Sequence, residues 1–318
     1  MRNCRKGRKA MNNNNFKFQI PNSKIRVIAV YAFCLLALSA CSLKKTVINS
    51  SALFMDDVMD SFFEEGDIKF AGDAIPANLK LLDGLIRGSQ DENDGLLLKG
   101  CKLYAMYAMG FMEDSSADKK EDKANLLRAS AFYERAKNYG LAILKKNADF
   151  KKAAEGSIDD FIQVMPAFGK DDVETLFWAA FAWGEYINLN RSNVSAIADL
   201  PKVKAMIDRV LELNDKYFYG LPHLFMIVYY SMPKMFGGDY DKAQKEYQAM
   251  QDISGGKFIL ADFFMARYYA VQVQDRKLFD ELLGKVEAAD DGIISEKLFT
   301  QVAKKKAAVL KLKAGDLF

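Results

Sequence analysis

Few residues in this chain could do chemistry. His223 is the single histidine. A metal site needs several ligands, and neither a Cys-x-x-Cys nor a His-x-x-x-His spacing is there to help it. In "YGLPHLF", near the start of an apolar helix, it reads as a buried, hydrogen-bonded side chain. A polar contact to the anionic end of a bound ligand is the alternative. Nucleophilic catalysis needs Ser or Cys beside a positioned base. His223 would have to be that base, and the chain has no Gly-x-Ser-x-Gly elbow. Cys101, in "LKGCKLYAMY", suits a small buried apolar position. The acidic pairs Asp159-Asp160, Asp171-Asp172 and Asp290-Asp291 fall at expected helix starts or loops, where the helix dipole favours them. Gly237-Gly238, in "MPKMFGGDYDKAQKEYQAM", could cradle a phosphate. A P-loop, however, follows a strand and carries Gly-x-x-x-x-Gly-Lys-Ser/Thr. Here Pro233 stops one helix and Asp239 caps the next, so the pair reads as a turn. No catalytic, cofactor-binding or metal-ligating residue emerges, and the chain is not expected to be an enzyme.

The elements that would carry any site begin after a processed leader. Arg2, Arg5, Lys6, Arg8, Lys9, Lys17, Lys24 and Arg26 precede an apolar run, "VIAVYAFCLLALSA", from Val27 to Ala40. That run suits a signal-peptide core and is short for a membrane span. It ends "LSAC", which looks like the bacterial lipobox. That similarity implies cleavage after Ala40 and lipid on the sulfur of Cys41. Ser42, not Asp, follows the cysteine, resembling the signal for sorting to the outer membrane with the protein facing the periplasm. Of 45 Lys+Arg, 8 lie in residues 1–40, leaving 37 against 42 Asp+Glu. The mature chain is therefore acidic, and nucleic acid is not an expected partner. Cys4 and Cys34 leave with the leader and Cys41 takes lipid, so Cys101 has no partner for an intramolecular disulfide.

Residues 41–51 read as the lipidated N-terminus and a polar tether, and 52–318 as a single domain. Helical periodicity dominates it and strand alternation is nearly absent. "SALFMDDVMDSFFEEG" is a first helix. "AIPANLKLLDGLIRGS" opens with Pro76 in its first turn, and "GLLLKGCKLYAMYAMGFM" follows it. After a hydrophilic "EDSSADKKED" comes a long helix around "ANLLRASAFYERAKNYGLAILKK". Further helices are expected near 171–190, 201–214, 218–232, 239–251, 257–273, 275–288 and 294–313. The fold class is all-α, an array of antiparallel helical hairpins. Ala129, Tyr133 and Ala136 match the small–aromatic–small spacing of a tetratricopeptide second helix, and Ala243, Tyr247 and Met250 nearly do. The repeats are cryptic, because the first helices fit poorly and no clean period of 34 recurs.

Three segments are apolar around much of their circumference: "LFWAAFAWGEY", "YFYGLPHLFMIVYY" and "FILADFFMARYYA". Such helices lie inside a bundle, line a cavity or face a subunit. Core packing is the plain reading of any one residue. With three such segments, Trp178, Phe181, Phe225, Tyr229 and Phe264 are the candidates to line a ligand cavity, with His223 as a polar contact.

The stretches "LFWAAFAWGEYI", "IADLPKVKAMIDRVLELNDKYFYGLPHLFMIVYYSMPKMFGGDYDKAQKEY" and "QDRKLFDELL" resemble the TatT family. These are T-components associated with tripartite ATP-independent periplasmic (TRAP) transporters. The most specific part is the ordered series Trp178, Leu200-Pro201, Glu212, His223, Pro233, Gly237-Gly238 and Ala243. The resemblance covers nearly the whole mature chain. It implies a lipoprotein with tetratricopeptide-like hairpins, a homo-oligomer (most plausibly a trimer), and an apolar cavity or channel. It also implies a periplasmic solute receptor as partner, exchanging a small, partly hydrophobic ligand. It supplies no catalytic motif. The competing expectation is a scaffold lipoprotein that recruits envelope proteins on a concave face and transports nothing.

Overall fold

The computed structural model describes residues 47, 48 and 50–318; the leader 1–40 and Cys41 lie outside the described residues. Among the described residues all regular structure is helical. None of these helices is long and apolar enough to cross a membrane. The first, α1, covers 50–63, and 47 and 48 are helical as well, so every described residue of the expected tether is helical. Ile48 packs on α2 (Ile68–Gly88), where a Cβ added to Gly88 would lie 2.7 Å from the Ile48 side chain.

α2 starts at Ile68 and not beside Pro76, because Asp67 caps it, accepting from the Lys69 and Phe70 amides. Pro76 thus sits inside the helix. It lacks the N–H that would bond the Gly72 carbonyl, and the Tyr107 hydroxyl donates to that carbonyl instead, at 3.5 Å. α3 (Asp94–Tyr107) runs into a π-helical turn, Ala108–Met112. Asp118 then caps α4 (Lys119–Leu144), which begins inside the stretch expected to be loop.

The short α5 (Ala148–Ala154) and α6 (Ile158–Val164) lead to α7 (Val173–Leu189). α7 packs on α3, α4 and the later α9, so it is buried on nearly every face. The α4–α7 contact is close because Gly140 has no side chain: a Cβ there would stand 2.7 Å from the Ala179 Cβ. Ala129, Tyr133 and Ala136 of α4 are all fully buried, as their spacing suggested. The acidic pairs serve local structure. Ser157 and Asp160 form a capping box, Asp172 accepts from the Gly169 amide, and Asp290 accepts from the Gly292 amide.

α8 (Val194–Ala198) precedes α9 (Leu200–Asn214), which opens on Pro201. α10 (Tyr217–Tyr230) has an irregular start: Phe218, Tyr219 and Gly220 take φ of 39°, 59° and 86°. Left-handed backbone costs a non-glycine residue about 1–2 kcal/mol. Tyr219 is held there by stacking on Phe258, with centroids 5.2 Å apart, and by donating to Glu296 at 2.8 Å.

The Gly237-Gly238 segment is a turn. Gly237 has φ +92°, a Cβ on Gly238 would fall 1.7 Å from the Met232 carbonyl oxygen, and Asp239 accepts from the Lys242 amide. α11 (Tyr240–Ser254) packs against α10. α12 (Leu260–Phe264) continues through a second π-helical turn, Met265–Ala270. α13 (Arg276–Ala288), α14 (Lys297–Leu312) and α15 (Ala314–Leu317) complete the chain. α14 packs on α12, α13, α2 and the first π turn, which brings residues 297–312 back against residues 68–112.

Candidate functional site

A polar chamber of about 460 Å³ is lined by the second π turn and by Glu113 and Asp114, the two residues that follow the first. A π turn adds a residue to the helical ladder and commonly marks a functional position. In the second one, the consecutive residues Arg267 and Tyr268 both line the chamber. Its remaining charges come from the loop after α3 (Glu113, Asp114), the start of α4 (Lys119, Asp122), the end of α7 (Arg191), and the C-terminal helices (Lys313, Asp316).

Most of these charges are paired. Arg267 Nε lies 3.3 Å from both Asp114 carboxylate oxygens. Lys313 is 2.9 Å from Asp122 and 3.7 Å from Asp114, and Lys119 is 3.0 Å from Asp316. Burial works to raise the Asp114 carboxyl, but Arg267, Lys306 and Lys313 more than offset this and hold it below the usual range. Arg191 differs from the other wall cations. It donates to Asn188 Oδ1 and, among the described residues, makes no ion pair.

One wall residue, Glu113, belongs to a group of two buried acids and one buried ammonium, with Glu185 and Lys306. Glu113 and Glu185 are 6% and 4% exposed, and Lys306 is 2% exposed. Lys306 Nζ donates to the carbonyls of Met109 at 2.6 Å and Glu113 at 2.7 Å. The Tyr133 hydroxyl donates to the Glu113 carboxylate, and Asn188 Nδ2 donates to Glu185 at 3.0 Å. Burial, reinforced by Glu185, pushes the Glu113 carboxyl up to about 8 despite Lys306 and the Tyr133 bond. Burial likewise raises Glu185 and lowers Lys306. Burial therefore favours the protonated form of the Glu113 carboxyl at the chamber wall.

An apolar cleft of about 80 Å³ adjoins the chamber and shares Asn188, Arg191, Val228, Met232 and Pro233 with it. α7 and α10 form its sides, Ile197 and Leu200 one end, and Phe236 of the glycine turn another. Gly184 sets its depth. A Cβ there would come within 2.5 Å of the Phe225 ring, so only glycine lets the edge of that ring approach α7 so closely. The two spaces together offer an apolar slot that opens on charged and amide groups. An apolar slot beside charged groups is an arrangement that can bind a ligand.

Among the residues singled out from sequence, Phe225 and Tyr229 line the cleft. Trp178 and Phe181 pack together in the core beside Phe177, and Trp178 Nε1 donates to the Tyr217 hydroxyl at 3.1 Å. Phe264 is buried and stacks on Tyr268, which itself lines the chamber. His223 Nδ1 is 2.6 Å from Glu246 of α11 and reaches neither space. Cys101 is fully buried against Gly140, and burial pushes its thiol up to about 12.

The charged groups of the chamber were not foreseen. For Glu185 in "FAWGEYI" and Arg267 in "FFMARYY" the signal was a lone charge in an apolar run, whereas Lys306 in "VAKKKAAVL" was hidden among three lysines. Glu113 and Asp114 were hidden at the head of a stretch that looked like an ordinary hydrophilic loop.

No curated protein matches the chain. The family model described as TRAP transporter T-component does match, over residues 64–318. That span runs from the end of α1 to the C-terminal helix and contains every wall of the chamber and the cleft. The chain therefore belongs to the TRAP transporter T-component family, a family of transporter accessory proteins.

Proposed function

We propose that this T-component is a lipid-anchored protein that binds a small, partly hydrophobic ligand and exchanges it with a periplasmic solute receptor. Cleavage after Ala40 and lipid on Cys41 would tether residues 52–318, a single domain of degenerate helical hairpins, to the periplasmic face of the outer membrane. The working form is a homotrimer.

The observation that carries this reading is the continuity of an apolar cleft with a charged chamber through five shared residues. An amphiphilic molecule suits such a pair: its apolar body leaves water in the cleft while its polar end stays among charges and amides. From the sequence candidates we keep Phe225 and Tyr229 as ligand contacts. Trp178, Phe181, Phe264 and His223 then act from behind, fixing the helices that carry the walls.

The test is a pull-down of tagged full-length protein from gently solubilised native membranes, with mass spectrometry of what accompanies it. A stoichiometric solute receptor is the expected result. Envelope-assembly proteins in place of a receptor would overturn the reading and favour the scaffold.

A further inference from the structure

The apolar cleft has a second neighbour. A surface groove of about 440 Å³ lies along α9, with Ile158 and Ile162 of α6, Pro166, Pro201 and Ala205 among its walls. The groove shares one lining residue with the cleft, Tyr229, and none with the charged chamber. The three spaces therefore run in the order chamber, cleft, groove. The first junction is broad, and the second is a single aromatic ring.

That ring is placed but not bonded. Tyr229 stands in the last turn of α10, edge-on to Tyr230 with centroids 5.4 Å apart. The Lys204 ammonium sits 5.9 Å from its ring centre while paired with Asp208 at 2.7 Å. The hydroxyl rests on Gly237, where a Cβ would come within 2.8 Å of it. Among the described residues that hydroxyl makes no hydrogen bond, and the side chain is only half-buried. Packing and the Lys204 ammonium keep the ring where it is, and swinging it aside breaks no hydrogen bond.

We propose that Tyr229 is a gate between the cleft and the α6–α9 groove. With the ring in place, a ligand in the cleft communicates only with the charged chamber. With the ring displaced, the cleft opens also to the groove, whose walls combine apolar side chains with Lys204, Asp208, Arg209 and Glu212. This inference rests on the ligand-binding reading above. The glycine turn belongs to the device, because a side chain at Gly237 would collide with the Tyr229 hydroxyl.

The test is stopped-flow binding of N-phenyl-1-naphthylamine, an uncharged apolar fluorophore, to detergent-solubilised full-length protein. Tyr229→Ala should raise the association rate by about tenfold or more, and the dissociation rate by at least as much because the ring is also a ligand contact. Ala205→Trp, which fills the groove, should return the Tyr229→Ala association rate to the wild-type value. Tyr229→Leu replaces the alanine variant if that one fails to fold. Unchanged rates, or a faster dissociation matched by an equal loss of affinity, would overturn the gate. Absence of probe binding to the wild-type protein would instead sink the ligand-site reading, and the gate with it.

Discussion

Replacing Glu113 by glutamine tests whether the buried acids govern how stability depends on pH. The Glu113 carboxyl is pushed from an ordinary 4.5 up to about 8 by burial and by Glu185. The folded protein thus holds a proton that the unfolded chain releases across that interval. The stability this group contributes is fully present below about pH 4.5, declines as pH rises, and is gone above about 8. For one proton the slope is about 1.4 kcal/mol per pH unit. Between pH 5 and 7 the wild-type protein should therefore lose roughly 2–3 kcal/mol of unfolding free energy from Glu113. Glu185, also raised by burial, steepens the decline. Glutamine has nearly the same shape, carries no charge at any pH, and keeps an oxygen for the Tyr133 hydroxyl. The Glu113→Gln variant should lose about one proton's worth of slope, and should be at least as stable as wild type at pH 8. Urea unfolding followed by far-ultraviolet circular dichroism at pH 5, 6, 7 and 8, at fixed ionic strength, measures this. A wild-type protein more stable at pH 8 than at pH 5, or a slope that survives the substitution, would refute the reasoning.

Two further substitutions probe the frame around the site. Gly140→Ala places a methyl 2.7 Å from the Ala179 Cβ and 3.0 Å from both the Ala179 Cα and Cys101 Sγ. The α4–α7 contact cannot yield there, so a loss of about 1–3 kcal/mol is expected even though alanine favours helix; a neutral or stabilising result in urea unfolding would contradict it. Trp178→Ala empties a packed position 4% exposed and should cost about 3–5 kcal/mol while leaving apolar-probe affinity nearly unchanged. Unchanged stability with weakened binding would instead move Trp178 into the ligand wall.

The helices were largely legible, because local chemistry dictates them. Pro201, Asp239 and Asp275 mark helix starts by capping or by fixed φ, and the structure begins α9, α11 and α13 beside them. α2 was misplaced because Pro76 looked like a first-turn proline. Only the distant Tyr107 hydroxyl explains how the helix accommodates it. The site was much less legible. Phe225 and Tyr229 could be suspected from their apolar surroundings, but nothing local distinguishes them from Trp178 or Phe181, which have the same composition around them. The difference lies in which neighbours α9 and α10 leave open. The charged chamber was less visible still, since Asp114 acquires meaning only beside Arg267, 153 residues away.

The same distance has a temporal meaning. Lys306 meets the Glu113 carbonyl across 193 residues, and Lys119 meets Asp316 across 197. Each doubling of a closed loop adds only about 0.6 kcal/mol of entropy, so the finished protein tolerates such closures easily. The route to them is another matter, because contacts this remote form late and slowly. Most of the helices, α4 and α7 included, can pair as they are made, but Glu113 and Lys119 must wait for residues 306–316. The chamber is therefore completed only in the final step of folding, and a chain interrupted before α14 would hold Asp114 and Arg267 without Lys306, Lys313 and Asp316.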